Sequence, residues 1–159
     1  MSKDKRHPTV VDPAAVEART GSAYPEQFKA VSEGREKQML GNVAGLTQFG
    51  VNLTRLKPGA ASALRHWHVE EDEFIYVLEG EATLITDAGE QVLGPCMAAG
   101  FPAGKADGHH LVNNSQSDVL YLEIGSRHPG EEAHYPDVDL QMRRVDGEIR
   151  FFHKDGTPY

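Results

Sequence analysis

Cysteine is nearly absent from this chain: Cys96 is the only one among 159 residues. No disulfide can form within the chain, and no zinc site built on several thiolates can form either. A lone cysteine is more often a small buried apolar residue than a nucleophile, and Cys96 is read that way. Basic residues are also scarce, with 16 Lys and Arg against 24 Asp and Glu, giving a formal net charge of −8. No cluster of Lys or Arg offsets that excess, so nucleic acid and anionic membrane are excluded as expected partners. An anionic small molecule is not excluded, because a bound metal can supply local positive charge. Long hydrophobic runs are missing as well. No segment has the length of a membrane span, and "MSKDKRHPTV" lacks the apolar centre of a secretory signal. A reducing cytoplasm is the expected location.

What is present, from about Phe49 onward, is a series of short apolar or alternating runs separated by turn residues. They read "FGVNLTRL", "SALRHWHV", "EFIYVLEG", "EATLIT", "QVLG", "HHLVNN" and "VLYLEIG". That rhythm predicts an all-β sandwich or barrel, and no stretch carries a sustained helical period. "EFIYVLEG" is apolar at successive positions, so both faces of its strand are expected to be covered, the outer one by another sheet, the N-terminal arm or a second subunit. Residues 1–23 form a polar arm in which Asp12 and Pro13 suit the start of a short helix. Residues 127–159 form a polar extension with a possible hairpin at Asp146-Gly147 and no chemical signature of its own.

The chemistry concentrates in "PGAASALRHWHVEEDEFIYVLEGE", Pro58 to Glu81. On a strand His66 and His68 point to one face while Trp67 points to the other. Two neutral imidazoles and a carboxylate are the minimum set for a divalent transition metal with open positions. Glu73 would face away from both histidines in an unbroken strand. A turn across "VEED", as in a β-hairpin, lets Glu73 open the next strand and turn inward; without a turn, Asp72 has the matching parity. A fourth donor is expected from "GHHLVNN", where His109, Leu111 and Asn113 share one face and His110, Val112 and Asn114 the other. His109 is favoured because Leu111 and Asn113 then face the cavity with it.

These residues resemble the cupin superfamily, whose fold is a double-stranded β-helix, or jelly-roll barrel. Its first motif runs Gly, five residues, His-x-His, three or four residues, Glu, six residues, Gly. Gly59, His66, His68, Glu73 and Gly80 follow it with one additional residue after Gly59. The second motif runs Gly, five residues, Pro-x-Gly, two residues, His, three residues, Asn. Gly94, Pro102, Gly104, His109 and Asn113 follow it more loosely, with "KADG" ahead of the histidine; His110 with Asn114 keeps the same spacing. The resemblance implies one cupin domain over residues 1–159, with a barrel at about 45–126, and a metal held by His66, His68, Glu73 and His109. The whole chain is similar to small bacterial cupins of the sugar-phosphate-isomerase-like kind, a group in which homodimers are common, with Phe74, Tyr76 and Leu78 as a candidate subunit face.

Cupins host many activities, so the resemblance does not choose one. The expected cofactor is one divalent transition metal, manganese, iron, nickel, cobalt or zinc, which ligand type alone does not distinguish. The expected partner is a small polar oxygenated molecule such as a sugar, keto acid or hydroxy acid, turned over by a metal-dependent enzyme. An iron-dependent dioxygenase and a non-catalytic binding or sensing module are the alternatives. Tyr121 and Glu123 share a face of "VLYLEI" and could supply a general base if that face is the inner one, although an outward orientation is the expectation.

Overall fold

The structure, a computed structural model, describes residues 7–159. Two 3-10 turns, Pro13–Ala15 and Glu26–Ser32, precede β1 (Arg35–Gln38), and one helical turn, α1 (Leu40–Val43), leads into β2 (Phe49–Leu56). Then come β3 (Trp67–His68), β4 (Glu73–Glu79), β5 (Ala82–Thr86), β6 (Gly89–Leu93), β7 (Ala98–Phe101), β8 (His110–Val112) and β9 (Val119–Ser126). The extension adds β10 (Glu132–Tyr135), β11 (Leu140–Val145) and β12 (Glu148–Phe152). All the strand pairs are antiparallel, and the architecture is the expected double-stranded β-helix.

Three sheets make up the barrel. Their orders are β1-β2-β9-β4-β7, β12-β11-β10-β3 and β6-β5-β8. In the first, Ile75, Val77, Val119, Tyr121 and Leu56 point inward and are almost fully buried, meeting Leu84, Leu93 and Leu111 of the opposite wall. A second core forms under the extension from Tyr24, Ala133, Tyr135, Leu140 and Met142. Period-two alternation therefore sets the inner face of each strand, as it should in a closed sheet.

Several expectations change on contact with the structure. The His66–Glu73 stretch is not a hairpin: β3 pairs with β10, and β4 pairs with β7 and β9. The chain crosses from one sheet to another at "VEED". The outer face of β4 is uncovered in the single chain, with Phe74 and Leu78 exposed. Cys96 is exposed rather than buried, in the turn between β6 and β7, where its φ is 68°. Asp12 does cap a helical segment, its Oδ1 accepting from the Ala14 N–H at 3.0 Å, but the segment is a single 3-10 turn. The arm packs on the body: Arg19 and Lys37 exchange backbone hydrogen bonds, and Gln38 Nε2 donates to the Pro13 and Val16 carbonyls; residues 1–6 of that arm lie outside the described residues. Asp146-Gly147 is the two-residue loop of the β11–β12 hairpin, both residues at positive φ as type I′ requires. Among the described residues, no helix is long and apolar enough to cross a membrane.

Two motif glycines illustrate different constraints. Gly59 and Gly80 both hold φ near 80°. A Cβ on Gly59 would meet nothing within 4 Å, whereas one on Gly80 would collide with the Asp118 carbonyl at the start of β9. Gly59→Ala should therefore cost only the left-handed backbone penalty, about 1–2 kcal/mol. Gly80→Ala adds a steric clash and should cost roughly 2–4 kcal/mol. Urea unfolding of the two metal-free variants checks this; equal losses would contradict the close approach at Gly80.

Candidate metal centre

His66 precedes β3 and bridges to His109 through the backbone: each N–H donates to the other's carbonyl, at 3.2 and 2.8 Å. That bridge brings the "RHWH" and "GHHL" segments side by side. Trp67 turns away and stacks on His134, with ring centroids 4.6 Å apart. His66 and His68 share the inner face, and their Nε2 atoms lie 3.2 Å apart. Glu73 opens β4 and points inward, placing Oε2 at 3.3 Å from His68 Nε2, 3.9 Å from His66 Nε2 and 3.1 Å from His109 Nε2. The structure thus gathers all four predicted side chains, and His66, His68 and Glu73 form a set able to hold a metal ion. His66 also lies 5.6 Å from the Tyr135 ring of the second core, and His109 stacks on Phe101 beside the first at 3.6 Å. The cluster sits where the two cores meet.

The rejected alternatives are explained by their hydrogen bonds. Asp72 Oδ1 accepts from the Ala103 N–H at 2.8 Å, outside the cluster. His110 faces the other way, with Nδ1 at 2.8 Å from the Ala63 carbonyl, and Asn114 donates to Thr83 Oγ1 at 3.3 Å. Asn113 is not a cavity residue. It is fully buried, its Nδ2 donates to the Leu56 and Ser117 carbonyls, and its Oδ1 accepts from Ser115. Gly104 contributes its N–H to the His68 carbonyl at 2.9 Å, which ties the Pro-x-Gly loop to the cluster.

The protonation pattern tests whether these residues suit a cation. His66 Nδ1 faces the Leu64 carbonyl at 2.7 Å, so it must carry a proton, leaving a lone pair on Nε2. His68 Nδ1 faces Glu131 Oε1 at 3.0 Å and carries a proton for the same reason. Two nitrogens committed this way cannot face each other and Glu73 without positive charge between them. Donors about 2.1 Å from a first-row divalent ion stand roughly 3.0–3.5 Å apart when adjacent, close to the separations found here. The residues fit such an ion. His109 differs in one respect: among the described residues its buried Nδ1 has no hydrogen-bond partner.

Without a metal, a proton takes the central role. Burial disfavours charge on His68, but hydrogen bonds to Glu131 and Glu73 and their negative charges outweigh it and lift its pKa to about 10. Burial pulls His66 down to about 4, against the attraction of Glu73. Burial also opposes charge on Glu73, yet the hydrogen bonds from His109 and His68 hold its carboxyl well below the usual range.

Beside the cluster lies a cavity of about 370 Å³ whose wall includes His68, Glu73, Asn52, Glu123, Arg127 and Arg144. Glu123 therefore faces inward, contrary to expectation, as does the fully buried Tyr121. Glu123 Oε1 accepts from Lys37 Nζ at 2.7 Å and from Asn52 Nδ2 at 3.2 Å. The sequence reading missed Glu131 altogether. Its only local signal is the alternation of Glu131, Ala133 and Tyr135, all buried, which places a carboxylate in an apolar row. A larger groove, about 670 Å³, runs between residues 23–27 and 149–152 and holds none of the four clustered side chains.

Residues 52–125 match the model of the cupin domain family. A solved structure from Silicibacter pomeroyi, described as a sugar phosphate isomerase from a cupin superfamily, shares 43% identity with a TM-score of 0.91, over 94% of this chain and 96% of that one. The chain belongs to the cupin superfamily. A second solved structure, a putative sugar phosphate isomerase from Acidithiobacillus ferrooxidans, shares 29% identity at a TM-score of 0.72, over 79% of this chain and 80% of that one. A polyketide cyclase from Streptomyces resistomycificus, at 23% identity and a TM-score of 0.63 over 77% of this chain and 82% of that one, shares the fold. No curated protein matches this cupin.

The His68 shift has a definite sign. Its folded pKa lies above the ordinary histidine value of 6.5, so it stabilises the metal-free fold fully below about pH 6.5 and loses that effect as pH rises through about 10. A divalent cation entering at pH 7 must displace the His68 proton. Calorimetric titration of the metal-stripped cupin with Co(II) in buffers of different ionisation enthalpy should register release of about one proton, with affinity rising from pH 6 to pH 9. Affinity independent of pH over that range would contradict the assignment.

Proposed function

We propose that this cupin is a metal-dependent enzyme acting on a small polar oxygenated substrate, with His66, His68, Glu73 and His109 holding one divalent transition metal. The observation that carries the reading is the convergence of the four donors beside a cavity of about 370 Å³. That volume suits a metabolite-sized molecule. The 43% identity to a chain described as a sugar phosphate isomerase makes phosphorylated sugars the first substrate class to test. A divalent cation in this set supplies Lewis acidity toward a substrate carbonyl or hydroxyl oxygen.

The chain's own residues supply the remainder. Glu123 stands on the cavity wall, where its Oε1 accepts a hydrogen bond from Lys37 Nζ. It is the group we assign to take a proton from a substrate carbon or hydroxyl and return it. Asn52 Nδ2 fixes the same oxygen and limits the rotation of the carboxylate. Arg127 and Arg144 bring positive charge to the same wall, where an anionic substituent would be accommodated. The location we infer is the cytoplasm, where an exposed Cys96 stays reduced.

His66→Ala and His68→Ala should each lose most of the bound metal while keeping the β-sheet spectrum of the wild type. Glu123→Gln should keep its metal and lose at least about 100-fold in kcat on an aldose or ketose phosphate, the range for removing a general base. Elemental analysis with an isomerase panel checks both. Saturable binding of the sugar phosphates without product would leave a binding module instead, and metal-dependent dioxygen consumption would indicate an oxygenase.

We also propose a homodimer. Across the outer face of the five-stranded sheet, Val51, Ile124 and Phe74 lie in one row and Leu53, Leu122 and Tyr76 in the next. On β4 of this face, Phe74 and Leu78 are exposed large apolar side chains. Light scattering should return about twice the 17.5 kDa chain mass, and Phe74→Glu should shift it to one chain; a wild-type monomer at all concentrations would count against the second copy.

A further inference from the structure

Glu131 belongs to the extension, outside both motifs, yet it is fully buried. Among the described residues it is the only carboxylate in the buried set, with no exposed surface, and its one ion-pair partner is His68. Both oxygens are committed. Oε1 lies 3.0 Å from His68 Nδ1, and Oε2 accepts the Glu70 N–H at 3.1 Å. The backbone around it grips the same segment: the Val69 N–H donates to the Glu132 carbonyl at 2.9 Å, and Ala133 pairs with His68 in the β3–β10 ladder. Residues 131–133 thus hold His68 from its main chain and from the far side of its ring.

The three histidines are supported unequally. His66 Nδ1–H has a neutral carbonyl as acceptor, and His109 Nδ1 has no partner among the described residues. Only His68 has a carboxylate. An ionised acceptor on the remote nitrogen fixes the tautomer, locks the ring plane and makes the facing nitrogen a stronger donor. Glu71, His68 and Glu131 also lie close enough to suggest a second cation site. That alternative is poorer, because each Glu131 oxygen already has a donor and Glu71 Oε1 accepts the His128 N–H at 2.7 Å.

We propose that Glu131 is a positioning residue of the metal centre, holding His68 Nε2 toward His66 and Glu73 and strengthening it as a donor. The proposal rests on the metal reading given above. It makes the extension part of the site rather than a wrapping around it.

Co(II) binding to the metal-stripped full-length cupin tests this, read as the dissociation constant by chelator competition and as the visible ligand-field spectrum. Glu131→Ala should weaken binding ~10–100-fold and alter the spectrum, since the ring is freed. Glu131→Gln keeps an acceptor for Nδ1–H without the charge, so it should restore the wild-type spectrum while its affinity stays below wild type. A purely structural role for Glu131 would lower thermal stability without this split between spectrum and affinity. His68→Ala runs in parallel. If His68→Ala loses Co(II) while folded Glu131→Ala and Glu131→Gln bind as wild type does, the positioning role is wrong and the metal reading stands. If wild type takes up no Co(II), or His68→Ala binds it equally well, the metal reading fails and the proposal with it.

Discussion

Buried lone pairs that face one another need positive charge between them, and the centre of this cupin is arranged around that need. The Leu64 carbonyl and the Glu131 carboxylate each claim one Nδ1–H, which turns the free nitrogens of His66 and His68 inward to a separation of 3.2 Å. Glu73 adds an ionised oxygen at 3.3 Å from the second of them. A proton relieves the conflict by residing on His68, and a divalent cation held by these donors would relieve it more fully. Neutral packing could not hold this geometry, since each polar atom would be desolvated without a partner.

The barrel serves this arrangement by supplying its donors from separate walls. His68 lies in the sheet completed by the extension, Glu73 opens a strand of the five-stranded sheet, and His109 directly precedes a strand of the three-stranded one. Two apolar cores flank the junction, one reaching it through Phe101 and the other through Tyr135. Side chains held by such packing lose little further freedom when a ligand arrives, which is the condition for a preorganised site.

Much of this was legible in the residues themselves. The apolar runs marked β2, β4, β5, β6, β8 and β9, and the parity of His66 with His68 and the turn before Glu73 followed from strand geometry. What escaped notice depended on distant partners. β7 reads "AAGF", with no β-branched residue, and exists because β4 offers it a ladder. β1 is polar throughout and is held by β2. The pair His109 and His110 could be separated only weakly by the face each shares; the backbone bridge to His66 separates them fully. Asn113 shares the face of His109, yet its four hydrogen bonds draw it into the turn above Ser117 and out of the cavity. Glu131 was missed because its significance comes from a residue 63 positions earlier in the chain.

The pairing of β3 with β10 bears on the order of events as the chain matures. Before residues 131–135 have left the ribosome and docked, the strand carrying His68 has no ladder neighbour and its imidazole has no carboxylate behind it. The nascent polypeptide can display the His-x-His sequence early, but as a loose chelating stretch with little selectivity among ions. Assembly of the complete donor set thus belongs to the end of folding, when the last sheet closes.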